Sequence, residues 1–148
     1  MDGDTLKEAI GTSMVFNLIL IFTGVFIALL IGSLAYSKGF KVRNRIIDII
    51  EQHEGYTDNS KLEINENLSA IGYKIVGQND RCKPHNGVSA IENESPYDYC
   101  IYEYQTSKGK YYGVTVYIHF DFPIIGSYIN IPLYGESRIL FEKSEVEG

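Results

Sequence analysis

The chain has 148 residues, a formal net charge of −6, two cysteines and no tryptophan. The acidic balance argues against nucleic acid as a partner, because phosphate binding needs clustered cations and the only basic stretch runs from Lys38 to Arg45. The length leaves room for one small domain beside a membrane segment, and twelve tyrosines, most of them in the C-terminal half, favour a tyrosine-rich antiparallel sheet.

Residues 1–13 form a short acidic leader in which Asp2, Asp4 and Glu8 outnumber Lys7. From Met14 to Tyr36 the sequence is MVFNLILIFTGVFIALLIGSLAY, and no charged residue occurs between Glu8 and Lys38. These 23 residues would span roughly 35 Å as a helix, slightly more than a bilayer core, and a modest tilt absorbs the excess. Fourteen of them are Leu, Ile, Val or Phe, each favouring insertion by about 0.3 to 0.6 kcal/mol, which outweighs Asn17 and the small polar residues. The spacing predicts a transmembrane helix over 14–37, with the lipid bilayer as its surroundings. A buried helix of a soluble protein is the weaker alternative, since the remaining chain is too small to wrap it. A cleaved signal peptide is the nearer one, with Gly32-Ser33-Leu34-Ala35 as its site, but the leader is acidic and the apolar run is long.

Within the span, Gly24, Ala28 and Gly32 recur every four residues and share a stripe with Asn17 and Ser13. Small residues let helix backbones approach closely in lipid, and an asparagine on the same side adds a cross-helix hydrogen bond of about 1 kcal/mol. Asn17, Gly24, Ala28 and Gly32 are the expected helix-packing face. Lys38, Lys41, Arg43 and Arg45 mark the membrane interface. Val42, Ile46, Ile49 and Ile50 then continue at helical spacing to a stop at Gly55, predicting an amphipathic continuation over 38–55 that packs on a folded domain.

The domain occupies 56–148. Ser60-Lys61-Leu62-Glu63 reads as a capping box opening a second helix, with Ile64, Leu68 and Ile71 as its apolar stripe and Gly72 as its left-handed cap. A short strand is expected over 73–76. The polar stretch 78–96 carries an Asn86-Gly87 turn signal and Cys82, with Cys100 on the next strand. Three states of this pair stand open: a disulfide stabilising the fold by roughly 3 kcal/mol, buried free thiols, or a metal held by Cys82, His85 and Cys100. The metal reading lacks the second ligand pair that a structural zinc site needs, and a disulfide would require an oxidising compartment.

Strands over 96–106 and 111–122 flank Ser107-Lys108-Gly109-Lys110 as a hairpin. In the second, Tyr112, Val114, Val116, Ile118, Phe120 and Phe122 form the core face and Tyr111, Thr115, Tyr117, His119 and Asp121 the polar one. Pro123-Ile124-Ile125-Gly126 breaks that strand, and a last strand is expected over 134–142. The fold class is α+β, a long N-terminal helix leading to a second helix and a three- or four-stranded antiparallel sheet. His119 beside Asp121 lacks a nucleophile or second carboxylate, and His53 and His85 read as isolated. No phosphate loop, nucleophile elbow or paired-carboxylate site occurs, so a catalytic role, a cofactor and a small-molecule substrate are not expected.

The span with its short leader, the Val114-Thr115-Val116 strand, the break at Phe122-Pro123 and a last strand with Gly135, Ser137 and Arg138 resemble the TadE-like minor pilins of tight-adherence pilus and type II secretion-like systems. Gly3 followed five residues later by Glu8 is similar to the processing site of prepilin peptidases in pilin-like proteins. The resemblance implies a non-enzymatic subunit of a surface filament or its assembly apparatus, with other pilin-like subunits or an inner-membrane platform as partners. It also implies an extracytoplasmic C-terminal domain, as a disulfide would. The cationic cluster after the span argues the reverse, because basic residues favour the cytoplasmic side. The alternative function is a single-pass tethered binding or sensor domain acting alone.

Overall fold

The computed structural model describes residues 2–73, 82–91, 96–121 and 128–141. Its elements in chain order are α1 (Gly3–Gln52), α2 (Asp58–Ile71), β1 (Tyr99–Thr106), β2 (Gly109–Asp121) and β3 (Tyr128–Glu136). Together they make the expected α+β layout of a long apolar helix, a second helix and a three-stranded antiparallel sheet of order β1-β2-β3. The chain divides into two compact units, Met1–Tyr36 and Ser37–Gly148, with the division falling inside α1.

The first unit is a helix whose large apolar side chains, from Leu6 to Tyr36, are all exposed. In the second unit α1 changes character. Gly39, Val42, Ile46, Ile49 and Ile50 are buried, at the three- and four-residue spacing that lays one helical face on a core. They join Ile64 and Leu68 of α2, Tyr99 and Ile101 of β1, and Tyr112, Val114 and Val116 of β2 in one cluster. Two helices thus cover one face of the sheet. The expected core face of β2 is buried at Tyr112, Val114, Val116 and Ile118.

α2 starts one turn earlier than the capping-box reading placed it. Thr57 is the N-cap, in extended conformation (φ −102°, ψ 170°). Its N–H donates to Ser60 Oγ at 2.7 Å and its hydroxyl accepts from Ser60 N–H at 3.3 Å, so Ser60 is the N3 member of the box and not its cap. Glu63 is left free to reach another partner. Gly72 closes the helix as expected, at φ 68° and ψ 42°, a left-handed geometry that favours glycine. Ile71, assigned to the apolar stripe, is 39% exposed instead.

The last strand also differs, because β3 spans Tyr128–Glu136 and not 134–142. Pro132 lies inside this strand. β2 positions 112, 114, 116 and 118 turn their backbone groups toward β3, as the Ser137 N–H to Tyr112 carbonyl bond of 2.8 Å shows. In the register Val116↔Leu133 and Tyr117↔Pro132, the missing N–H of Pro132 therefore faces the outer edge, where it breaks no ladder bond. After Glu136 the ladder ends because Ser137 turns its side chain inward. Its Oγ accepts from Tyr112 N–H at 2.9 Å and donates to the Arg138 carbonyl at 2.9 Å. Among the described residues after Ser137, the chain returns as the Lys110↔Leu140 bridge.

β1 begins at Tyr99, three residues after the expected start, and the hairpin turn is Ser107-Lys108. Tyr73 is not in a strand, and the rest of the strand expected over 73–76 lies outside the described residues, as do the break at 123–126 and the side chains of His119 and Asp121.

Candidate functional site

Three places carry chemistry or contact, and they are built from different parts of the chain. The first is the apolar segment of α1. Among its described residues, the most apolar window has none of its length buried by the protein. Helical geometry puts Asn17, Gly24, Ala28 and Gly32 within one stripe, since steps of four and seven residues return to nearly the same side. A Cβ added at Gly24 would meet nothing within 4 Å, so the helix is open at that position. Gly3 and Glu8 lie in the exposed opening turns of the same helix, where Asp2 O accepts from Thr5 Oγ1 at 2.7 Å and Glu8 O from Thr12 Oγ1 at 2.9 Å.

The second is the basic turn after the span. Lys38 Nζ donates to Gly72 O at 3.0 Å, pinning the end of α2. Arg43 Nη1 donates to Tyr134 O on the outer edge of β3 at 2.9 Å, and its guanidinium lies 4.4 Å from the Phe40 ring centre. Its stem lies over Gly135, where an added Cβ would sit 2.8 Å from Arg43 Cδ. Arg45 Nε donates to Asn67 Oδ1 at 3.1 Å. Three of the four residues expected to mark a membrane interface therefore also clamp the domain, and Lys41 is exposed.

The third is the outer sheet face, which sequence periodicity assigned to solvent. It is a second buried cluster of Cys100, Tyr102 and Tyr104, packed with Val88, Ala90, Tyr111, Tyr117 and Tyr134. The cover is the segment 82–91, tied to β1 by the Cys82–Cys100 disulfide, whose Cα atoms are 5.6 Å apart. That bond settles the open alternatives for the pair and leaves neither sulfur as a metal ligand. Asn86 (φ 49°) and Gly87 (φ 78°) make the tight turn between His85 and Val88, which exchange backbone hydrogen bonds of 2.9 and 3.0 Å.

Tyrosines fit this face because each has an apolar ring and a polar tip that the loop backbone satisfies. Tyr102 donates to Lys83 O at 2.6 Å and Tyr104 to His85 O at 3.2 Å. The His85 ring stacks on Tyr134 at 4.0 Å, and its Nδ1 lies 2.9 Å from the Tyr104 hydroxyl. Tyr104 stacks on Tyr111 at 4.8 Å. Tyr134 in turn needs Gly113, since a Cβ there would come within 2.9 Å of its ring carbons.

Burial pushes the phenols of Tyr102 and Tyr134 up, as it does those of Tyr56, Tyr73 and Tyr112 on the core side. Tyr73 shows the geometry: its hydroxyl donates to Asp98 O at 2.7 Å and accepts from Tyr117 N–H at 3.1 Å. An activated nucleophile needs the opposite shift. These groups hold structure and stay protonated.

The two histidines read as isolated are not. His53 Nε2 lies 2.7 Å from Glu63 Oε2, with Arg45 Nη2 3.9 Å from the other carboxylate oxygen, and His85 is the centre of the outer aromatic cluster. Both contacts are long-range, which sequence spacing does not display. The signal for the outer face was nevertheless present as Cys100, Tyr102 and Tyr104 alternating on one side of β1. Among the described residues, no group of three or more His, Cys, Asp or Glu is placed to hold a metal. Comparison with known proteins finds no matching family model, no matching curated protein and no matching solved structure.

Proposed function

We propose that the chain is a non-enzymatic, membrane-anchored, pilin-like subunit of a surface pilus or secretion assembly, with its C-terminal domain outside the cytoplasm. The observation that carries this reading is the double use of α1. Its first part exposes apolar side chains all round, and its second supplies Val42, Ile46, Ile49 and Ile50 to the domain core. A helix apolar on every side needs lipid or partner helices around it.

The stripe of Asn17, Gly24, Ala28 and Gly32 supports lateral association with sister subunits or a membrane platform, where close backbone approach is favourable. The Cys82–Cys100 disulfide supports an oxidising compartment for the domain. The positive-inside tendency opposes that orientation, but Lys38, Arg43 and Arg45 have structural partners that account for their presence independently. Removal of residues 1–3 by a prepilin-type peptidase, with Glu8 in the recognised segment, belongs to the same reading.

Single cysteines introduced at Ala28 and at Phe26 of the full chain test it, because the two positions lie on opposite sides of the helix. Oxidative cross-linking in native membranes should join Ala28→Cys to a neighbouring subunit and leave Phe26→Cys monomeric. Equal cross-linking at both positions, or none, contradicts the assembly role.

A further inference from the structure

Three exposed apolar side chains from three different elements lie toward one end of the second unit. Phe40 of α1 is 41% exposed, Ile71 of α2 is 39% exposed and Ile131 of β3 is 44% exposed. Contacts of neighbouring residues bring their positions to the same end. Lys38 Nζ reaches Gly72 O at 3.0 Å, setting the last residue of α2 beside the start of this part of α1. Gly39 lies against Ile118, whose register partner is Ile131. Paired residues of antiparallel strands point to the same face, so Ile131 stands on the helix-covered side, at its rim.

Among the described residues, the other exposed large apolar side chains of this unit lie elsewhere. Leu62 is in the first turns of α2, next to the His53–Glu63 contact, and Ile139 and Phe141 flank the Lys110↔Leu140 bridge. Both places are far along α1 from Lys38.

We propose that the end of the domain bearing Phe40, Ile71 and Ile131 beds into the headgroup region of the bilayer, with the exposed Lys41 beside it. The inference rests on the membrane-anchored reading and adds a second, peripheral contact to the span. What names lipid as the occupant is chain continuity. Phe40 is four residues from Tyr36, the last residue of the apolar run, and four residues reach at most about 14 Å whatever the path. Phe40 thus lies within headgroup distance of any bilayer that holds the span, and Ile71 and Ile131 share its end of the domain. The chemistry of this end also fits: an aromatic ring, two aliphatic side chains and lysines suit the interface, where amphipathic groups settle and cations approach lipid phosphates.

Because the chain has no tryptophan, each position can carry the only indole. The full chain would be reconstituted in vesicles of phosphatidylcholine and phosphatidylglycerol with bromine near the top of the acyl chains. Phe40→Trp, Ile71→Trp and Ile131→Trp are compared with Leu62→Trp at the far end and Phe22→Trp within the span. The expected result is emission from the first three quenched about twofold more than from Leu62→Trp, as interfacial insertion requires. If Phe22→Trp is quenched but Ile71→Trp and Ile131→Trp behave like Leu62→Trp, the docking inference is overturned and the anchor stands. Absence of quenching at Phe22→Trp overturns both.

Discussion

Gly39 of α1 is the contact point for Ile118 of β2: a Cβ added to the glycine would fall 2.6 Å from Ile118 Cγ1 and 3.0 Å from Cδ1. Glycine inside a helix ordinarily costs about 0.5 to 1 kcal/mol relative to alanine, so its presence reflects the approach of helix to sheet. Gly39→Val should destabilise the domain by about 2 kcal/mol through overpacking. In a double-mutant cycle with Ile118→Ala, chemical denaturation should show the two changes costing less together than the sum of each alone. Strict additivity would mean that the residues do not touch.

The disulfide fastens the segment that covers the outer tyrosines. Replacing Cys82 and Cys100 together by alanine should lower stability by roughly 3 kcal/mol on the chain-entropy estimate for a bridge of this span. Near-ultraviolet circular dichroism should weaken as well, because Tyr102 and Tyr104, now 3% and 8% exposed, lose their cover. An unchanged urea midpoint with intact aromatic signal would show that the cover holds without the bond.

Much of the architecture was legible in the sequence. The burial of Val42, Ile46, Ile49 and Ile50 followed from helical spacing, and that of Tyr112, Val114, Val116 and Ile118 from alternation, because each periodicity is local. Gly72 announced a left-handed cap for the same reason. What was hidden depends on contacts far apart in the chain. Thr57 displaced Ser60 as N-cap because the reciprocal bond runs back to Thr57 and not forward to Glu63. Pro132 disguised β3, since only the sheet order shows that its nitrogen faces an open edge. The outer face of β2 reads as solvated until the loop carrying Cys82 and His85 is known to lie across it.

Five buried or half-buried phenols make stability fall in alkali. Tyr56, Tyr73, Tyr102, Tyr112 and Tyr134 are all raised above the ordinary tyrosine value, burial being the largest cause in each. Their stabilising effect is therefore complete below the unfolded-state value of about 10 and is lost as pH rises beyond it. Tyrosinate absorbance should accordingly rise in two stages, exposed residues first and the buried set only with cooperative unfolding. A single stage following unperturbed tyrosine would contradict the packing described.

Arg43 joins three neighbours, donating to Tyr134 O and Asn44 Oδ1 while its stem covers Gly135. Lysine lacks the planar fork, so Arg43→Lys should cost about 1 to 2 kcal/mol. Lys41→Ala at an exposed position should have little effect on the same denaturation curve. Equal effects would remove the clamp role from Arg43.

The central claim is that residues 14–36 remain part of the mature chain and lie in lipid. Alkaline carbonate extraction of native membranes, followed by mass determination of the protein's peptides, tests it most directly. The account predicts a pelleted protein whose peptide masses include residues 14–36. Recovery in the supernatant, or a product beginning after Ala35, would contradict it.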